Sequence, residues 1–185
     1  MRLFIAIPLP PEIAQRAFAV LPQAIPALRR VQPENLHVTL AFLGETPESR
    51  LPDVAGAAEE AVTDVRPFRL VFDRAGRFPE RGRPRVVWLG MAEGRASVER
   101  LGAGLSRALR ESALDFEDRP VSPHLTLARV REEATAAEAR TVAAAVDGLA
   151  VVPLEVNVSA IVIVRSVLSP KGSRYTTLAT APLVA

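Results

Sequence analysis

Asn35-Leu36-His37-Val38-Thr39-Leu40 is stated twice in this chain: its second version is Pro123-His124-Leu125-Thr126-Leu127. Each version reads His, apolar, Thr, Leu, and both of the chain's two histidines sit in these tetrads. On an extended strand, residues i and i+2 share a face. His37 and Thr39 therefore point one way, and Val38 and Leu40 the other. His124 and Thr126 oppose Leu125 and Leu127 in the same manner. Each strand offers an imidazole and a hydroxyl to one side and packs aliphatic carbon on the other. A single histidine on a half-buried strand is most often a hydrogen-bonded structural residue. Two histidines, confined to one repeated tetrad, point to a shared chemical task.

The segments around the tetrads switch between strand and helix periods. Residues 2–7 read as a central strand, apolar on both faces. Pro10 and Pro11 open a helix striped by Ile13, Ala17, Val20 and Leu21, and Pro22 ends it. The first His strand covers residues 36–43. Thr46 and Pro47 have the chemistry of a helix cap and first helical position, ahead of Leu51, Val54, Ala58 and Val62 at helical spacing. After Pro67, Phe68, Leu70 and Phe72 alternate as a strand, followed by a basic loop over 76–85 and a buried strand, Val86-Val87-Trp88-Leu89. A helix over 95–112 carries Val98, Leu101, Leu105 and Leu109. Pro120 and Pro123 extend the chain into the second His strand, residues 123–130. Thr135-Ala136-Ala137-Glu138 is a capping box, and Gly148 stops that helix. Leu154, Val156 and Val158 alternate, Ile161 to Val164 form a buried strand, and a loop over 169–174 leads to a last strand at 175–180.

Pro67 follows His37 at nearly the distance at which Pro153 follows His124, and Val86 and Tyr175 stand in a similar relation to their histidines. Each half reads His strand, helix, strand, basic loop, strand. The 185 residues are thus expected to form one two-lobed domain with an internal duplication. Its class is α+β: two pseudo-symmetric lobes, each an antiparallel sheet with helices on its outer face, with the His strands facing across a cleft.

Composition narrows the chemistry. The absence of cysteine excludes disulfides, thiol nucleophiles and cysteine-bound zinc. The apolar run Leu3-Phe4-Ile5-Ala6-Ile7 ends at Pro8 and lacks secretory form, and no run approaches the ~20 residues of a membrane span, so a cytoplasmic protein is expected. The net charge is +2, and Lys171 is the one lysine among 23 basic residues. That mild, clustered basicity suits a small anionic ligand or a nucleic-acid end better than a long duplex. Two imidazoles titrating near neutrality can act as general base and general acid in one reaction. Neighbouring hydroxyls can donate to the nonbridging oxygens of a phosphate, so the set suits in-line displacement at phosphorus. No dense His and carboxylate cluster, nucleophile elbow or phosphate loop competes with that reading.

The chain resembles the two-histidine phosphoesterases, whose signature is a pair of His-x-Thr-x motifs. Within them it is similar to the RNA 2′,3′-cyclic phosphodiesterases of bacteria and archaea, also called 2′-5′ RNA ligases. The resemblance runs from Arg2-Leu3-Phe4-Ile5-Ala6-Ile7 through the first tetrad to Ala41-Phe42-Leu43-Gly44-Glu45, then Arg85-Val86-Val87-Trp88-Leu89-Gly90, the second tetrad with Ala128-Arg129, and ends near Tyr175. It implies that a terminal 2′,3′-cyclic phosphate on RNA is opened to a 2′-phosphate: water attacks phosphorus and the 3′-oxygen leaves. It implies His37 as proton donor, His124 as base on water, and Thr39 and Thr126 on phosphate oxygens, in a monomer that uses no metal or cofactor. Ligation to form 2′-5′ junctions draws on the same chemistry. The internal symmetry does not tell from sequence alone which histidine takes which role. A non-catalytic module for AMP-like nucleotides and a phosphodiesterase for small cyclic nucleotides are the alternatives.

Further substrate-binding candidates follow. Arg129 and Phe42 lie at odd spacing from their histidines, on the opposite face of an ideal strand, and reach the cleft only at a strand end or past a bulge. Otherwise Arg129 is a solvated or lobe-bracing arginine and Phe42 is core. Trp88 and Tyr175 read as equivalent positions able to stack a base, with core packing favoured for Trp88. Lys171 and Arg174, in a loop, are placed to steer an RNA end.

Overall fold

The apolar run near the start becomes β1 (Arg2–Pro8), buried from Leu3 to Ile7, in a computed structural model that describes residues 1–23, 25–169 and 172–184. α1 (Pro11–Val20) begins where proline fixes φ and no N–H is needed, and Leu21 before Pro22 is extended. β2 (Leu28–Arg30) is too short to show a period and has no counterpart in the sequence reading. β3 (His37–Glu45), α2 (Leu51–Val62), β4 (Phe68–Phe78), β5 (Val86–Glu93), α3 (Arg95–Glu111) and β6 (Leu125–Val130) follow. α4 (Ala136–Asp147), β7 (Ala150–Val158), β8 (Ala160–Ser169) and β9 (Gly172–Pro182) complete the chain. The capping box forms as read: Thr135 Oγ1 accepts from the Glu138 amide at 3.2 Å, and the Glu138 carboxylate accepts from the Thr135 amide at 2.7 Å.

Three boundaries differ from the sequence reading. Thr46 does not cap α2: it is buried with its hydroxyl on Gly44 O, Pro47 is extended, and a 3-10 turn over Glu48–Arg50 precedes the helix. Gly76, Arg77 and Phe78 belong to β4 and pair with β5 up to Phe78 and Val86, because the partner strand satisfies their backbone whatever their composition. Ser169 already pairs with Gly172, which has φ +121°, so Ser173 and Arg174 of the expected 169–174 loop lie in β9.

The strands join antiparallel in the order β7-β4-β5-β6-β3-β1-β8-β9, with β2 alongside β6. The order is symmetric about the seam between β6 and β3, which is one residue pair wide, Val38 with Leu125. From that seam one arm runs β3, β1, β8, β9 and the other β6, β5, β4, β7. The strand after the first His strand, β4, therefore lies in the arm of the second, and β8 lies in the arm of the first. α2 packs on β8, β9 and α3, whereas α1 meets β7 and α4 meets β4. The faces opposite the histidines form the core, where Val38, Leu40, Leu125 and Leu127 are buried with Ile5, Leu101 and Leu105. Each such side chain contributes about 1.5–3 kcal/mol from burial. The class is α+β, as the alternation of periods implied.

This order corrects one expectation. Trp88 lies on β5 opposite Thr126, directly beside its His strand, but Tyr175 lies on the outer strand β9, beyond β1 and β8 as seen from β3. The residue that occupies Trp88's place in the other arm is Ala6, opposite Thr39. Equal spacing along the chain carries no information about which strand becomes a neighbour, so Trp88 and Tyr175 are not equivalents.

Candidate active site

β3 and β6 carry the same irregularity. Ile5 pairs with Ala41 but Ala6 with Thr39; Val87 pairs with Ala128 but Trp88 with Thr126. One step on the neighbour spans two on the His strand, so each His strand bulges at the leucine of its tetrad. Leu40 and Ala41 are both buried, as are Leu127 and Ala128, and the alternation resets. Phe42 and Arg129 consequently turn onto the face of the histidines. Phe42 is 37% exposed and is not a core residue.

Both imidazoles are half-buried and held in one manner. His37 Nδ1 lies 2.7 Å from Asn35 O, and His124 Nδ1 lies 2.6 Å from Ser122 O. A carbonyl only accepts, so Nδ1 carries the proton and Nε2 is left for proton exchange. The surroundings differ. His37 stacks on Phe4 (4.7 Å between centroids) and meets Tyr175 edge-on at 5.5 Å, whereas His124 meets the edge of Phe78 at 5.3 Å. Burial pushes His37 below the ordinary histidine value, and the charges of His124 and Arg129 add to that, against the raising effect of the Asn35 carbonyl. Burial also lowers His124, helped by Arg129, Arg119 and Arg95, against the Ser122 carbonyl. Arg129 thus acts on both rings.

A cavity of about 290 Å³ between the strands is lined by Thr39, Phe42, Phe78, Glu117, Arg119 and His124, among others. Thr126 holds on β6 the place that Thr39 holds on β3. Trp88 is half-buried behind Phe78 (5.0 Å) and lies over Gly76, where a Cβ would come within 2.3 Å of its ring; it is a packing residue. Arg174 is exposed on β9, between Ser173, whose carbonyl accepts from Asn35, and Tyr175, which meets His37 edge-on. Lys171 lies outside the described residues. Sequence reading passed over Phe4, Phe78, Glu117, Arg119 and Asn35. Asn35 has two tasks: its carbonyl orients His37, and its Nδ2 donates to Ser173 O at 3.0 Å, tying β9 to the site. Its position two residues before the histidine, mirrored by Ser122, was the available signal. Among the described residues, no group of three or more His, Asp or Glu side chains gathers to hold a metal ion, and no helix is long and apolar enough to cross a membrane.

Known proteins resemble this chain in sequence and in fold. Residues 9–169 match the model of the 2′-5′ RNA ligase superfamily. The chain belongs to this superfamily. It is 37% identical over 185 residues to the RNA 2′,3′-cyclic phosphodiesterase of Thermus thermophilus, covering 96% of this chain and 88% of that relative. It is 38% identical over 138 residues to the enzyme of that name from Escherichia coli, covering 72% and 74%. The fold matches the crystal structure of TT0787 of Thermus thermophilus with a TM-score of 0.77 at 34% identity, over 99% of this chain and 98% of that one. E. coli LigT complexed with 3′-AMP matches with a TM-score of 0.77 at 30% identity, over 100% and 98%. The resemblance read from the two tetrads therefore holds across nearly the whole superfamily fold.

Proposed function

We propose that this chain is an RNA 2′,3′-cyclic phosphodiesterase that opens a terminal cyclic phosphate to a 2′-phosphate, with His37 and His124 as the acid–base pair. The observation that carries the reading is the matched pair of imidazoles. Each has Nδ1 committed to a backbone carbonyl and Nε2 available, and each has a threonine two residues on along the same face. The named relatives support it. In the proposed reaction, His124 takes a proton from water as its oxygen attacks phosphorus. His37 delivers a proton to the departing 3′-oxygen, and the 2′-oxygen keeps the phosphate. Thr39 and Thr126 donate to nonbridging oxygens, where charge builds. In the free protein both rings favour the neutral form. The anionic phosphodiester offsets the cationic field between them and raises the affinity of His37 for its proton. The same steps, with a 5′-hydroxyl in place of water, join a cyclic end to that hydroxyl in a 2′-5′ link. The proposal takes the enzyme as one two-lobed domain built by internal duplication, acting as a monomer in the cytoplasm on RNA ends.

The test is incubation of the protein with a cyclic-phosphate-ended RNA in excess chelator, followed by resolution of the ends. Conversion to 2′-phosphate is expected. Unchanged cyclic ends in the presence of folded protein would overturn the proposal, and tight binding of a 2′-phosphonucleotide without turnover would favour a nucleotide-binding module.

A further inference from the structure

The symmetry of strand order sets up a comparison between the two outer ends of the cleft. The pairing of Phe4 with Phe42 in one arm corresponds to that of Val86 with Arg129 in the other. Beyond Phe42 lies a cavity of about 290 Å³ lined by Phe4, Phe42, Phe116 and Tyr175, by the acidic Asp115 and Glu117, and by one arginine, Arg2. Its counterpart beyond Arg129, of about 490 Å³, is lined by Arg83, Arg85, Arg129 and Arg131, with Glu132 as its one carboxylate. The same place in the fold is mainly aromatic, with two carboxylates against one arginine, in one arm, and carries four arginines against one carboxylate in the other.

The arginines of that second cavity outnumber the carboxylates near them, Glu132 in its lining and Glu138, on which Arg131 acts. Among the described residues, Arg85, Arg129 and Arg131 have no ion pair, although ten ion pairs form elsewhere in the molecule. Arg83 donates to the carbonyls of Glu132 (2.8 Å) and Ala134 (2.5 Å), which fixes the loop that frames the cavity. Like charges gathered around an open cavity repel one another, and an anion relieves that cost. A planar guanidinium set is suited to phosphate oxygens. Arg129 belongs to both places: it lines the cavity and acts on both histidines. Arg129, five residues past His124 along the chain, is the link between the cavity and the histidine pair.

Resting on the phosphodiesterase reading, we infer that the Arg83–Arg85–Arg129–Arg131 cavity holds a non-reacting phosphodiester of the RNA strand that carries the cyclic end. The enzyme then selects oligonucleotides over cyclic mononucleotides, which have no second phosphate to place there. Arg85 and Arg131 are the residues to change, since Arg83 braces the loop and Arg129 serves the histidines. In an R85Q/R131Q double variant, kcat/KM for a cyclic-phosphate oligonucleotide falls roughly tenfold, with less than about a twofold change for the cyclic mononucleotide. Each lost phosphate contact also makes the salt dependence on the oligonucleotide shallower by about 0.7 in a plot of log kcat/KM against log salt. Binding of an unreactive oligonucleotide ending in a 2′-phosphate, followed by fluorescence anisotropy, weakens in parallel, whereas binding of a 2′-mononucleotide does not. Equal losses on long and short ligands, or no loss on either, would overturn the inference. So would sensitivity confined to a second, 5′-hydroxyl strand added in trans. A wild-type protein that opens neither substrate counts against the phosphodiesterase reading alone, because the anisotropy comparison still decides the cavity.

Discussion

Two stretches of this molecule, residues 37–42 and 124–129, follow the same path: histidine half-buried, core residue, threonine half-buried, two core residues across a bulge, then an exposed side chain. They end differently, in Phe42 and in Arg129. One ring stands among aromatic rings and the other near three arginines. The backbone supplies what an acid and a base have in common, a fixed ring and a free Nε2. The flanking side chains supply what differs between them, and on the proposed function they are the groups that would meet the substrate's sugar, base and phosphates. In the proposed reaction, a division of roles between the two rings rests on side chains at strand ends, within a strand order that is symmetric.

The harshest way to break the comparison is to remove each ring. His37→Ala and His124→Ala each lower kcat/KM on a cyclic-phosphate RNA by about 10²-fold or more, with the fold retained. A nitrophenyl leaving group separates the roles. It needs no proton, so the His37 variant recovers on it and the His124 variant does not; recovery of the His124 variant instead would exchange the two assignments. The rate should be bell-shaped in pH, since one ring must be neutral and the other protonated.

Arg129→Gln tests the next difference. Arg129 lowers both histidines, so its loss raises both, and the pH optimum of kcat/KM moves upward alongside an activity loss of roughly tenfold. Phe42→Gln removes the matching residue of the other strand and leaves the optimum in place. A profile recorded across the acid and neutral range decides between them; an unmoved optimum in the Arg129 variant would show that its field does not govern the pair.

Asn35→Ala keeps the carbonyl that orients His37 and removes only the bond to Ser173, so kcat falls by a few-fold, in line with one hydrogen bond of about 1 kcal/mol. Smallest for activity is Thr135→Ala. It removes the capping box that α4 has and α2 lacks, costing about 1 kcal/mol in a denaturant titration while kcat/KM stays unchanged.

Much of this was legible in advance because period and composition report on local structure. The His–Thr parity, the proline-led helix of α1, the α3 stripe and the Thr135–Glu138 box all act within a few residues and appear as read. Arg129 and Phe42 were harder. Nothing in Leu40-Ala41 or Leu127-Ala128 marks a bulge, since neither pair contains the glycine that often flags one, and only the partner strand's register exposes it. Sheet order was out of reach. That β4 and β8 exchange arms depends on long-range pairing, and this misled the matching of Trp88 with Tyr175. Phe78 was assigned to a loop because its neighbours are glycine, arginine and proline, yet β5 recruits it into the sheet and sets it against His124.

The partner that orients each histidine is a main-chain oxygen, at Asn35 and at Ser122. Every amino acid brings that oxygen, so no point mutation at 35 or 122 deletes it. A histidine aligned by an aspartate can lose its orienting group in one nucleotide change; here the chain would have to be rerouted. In the proposed acid–base pair the two imidazoles are thus the vulnerable loci, and their alignment comes with the fold. Residues 35 and 122 are free to drift toward other uses, as Asn35 has done by fastening β9 to the site.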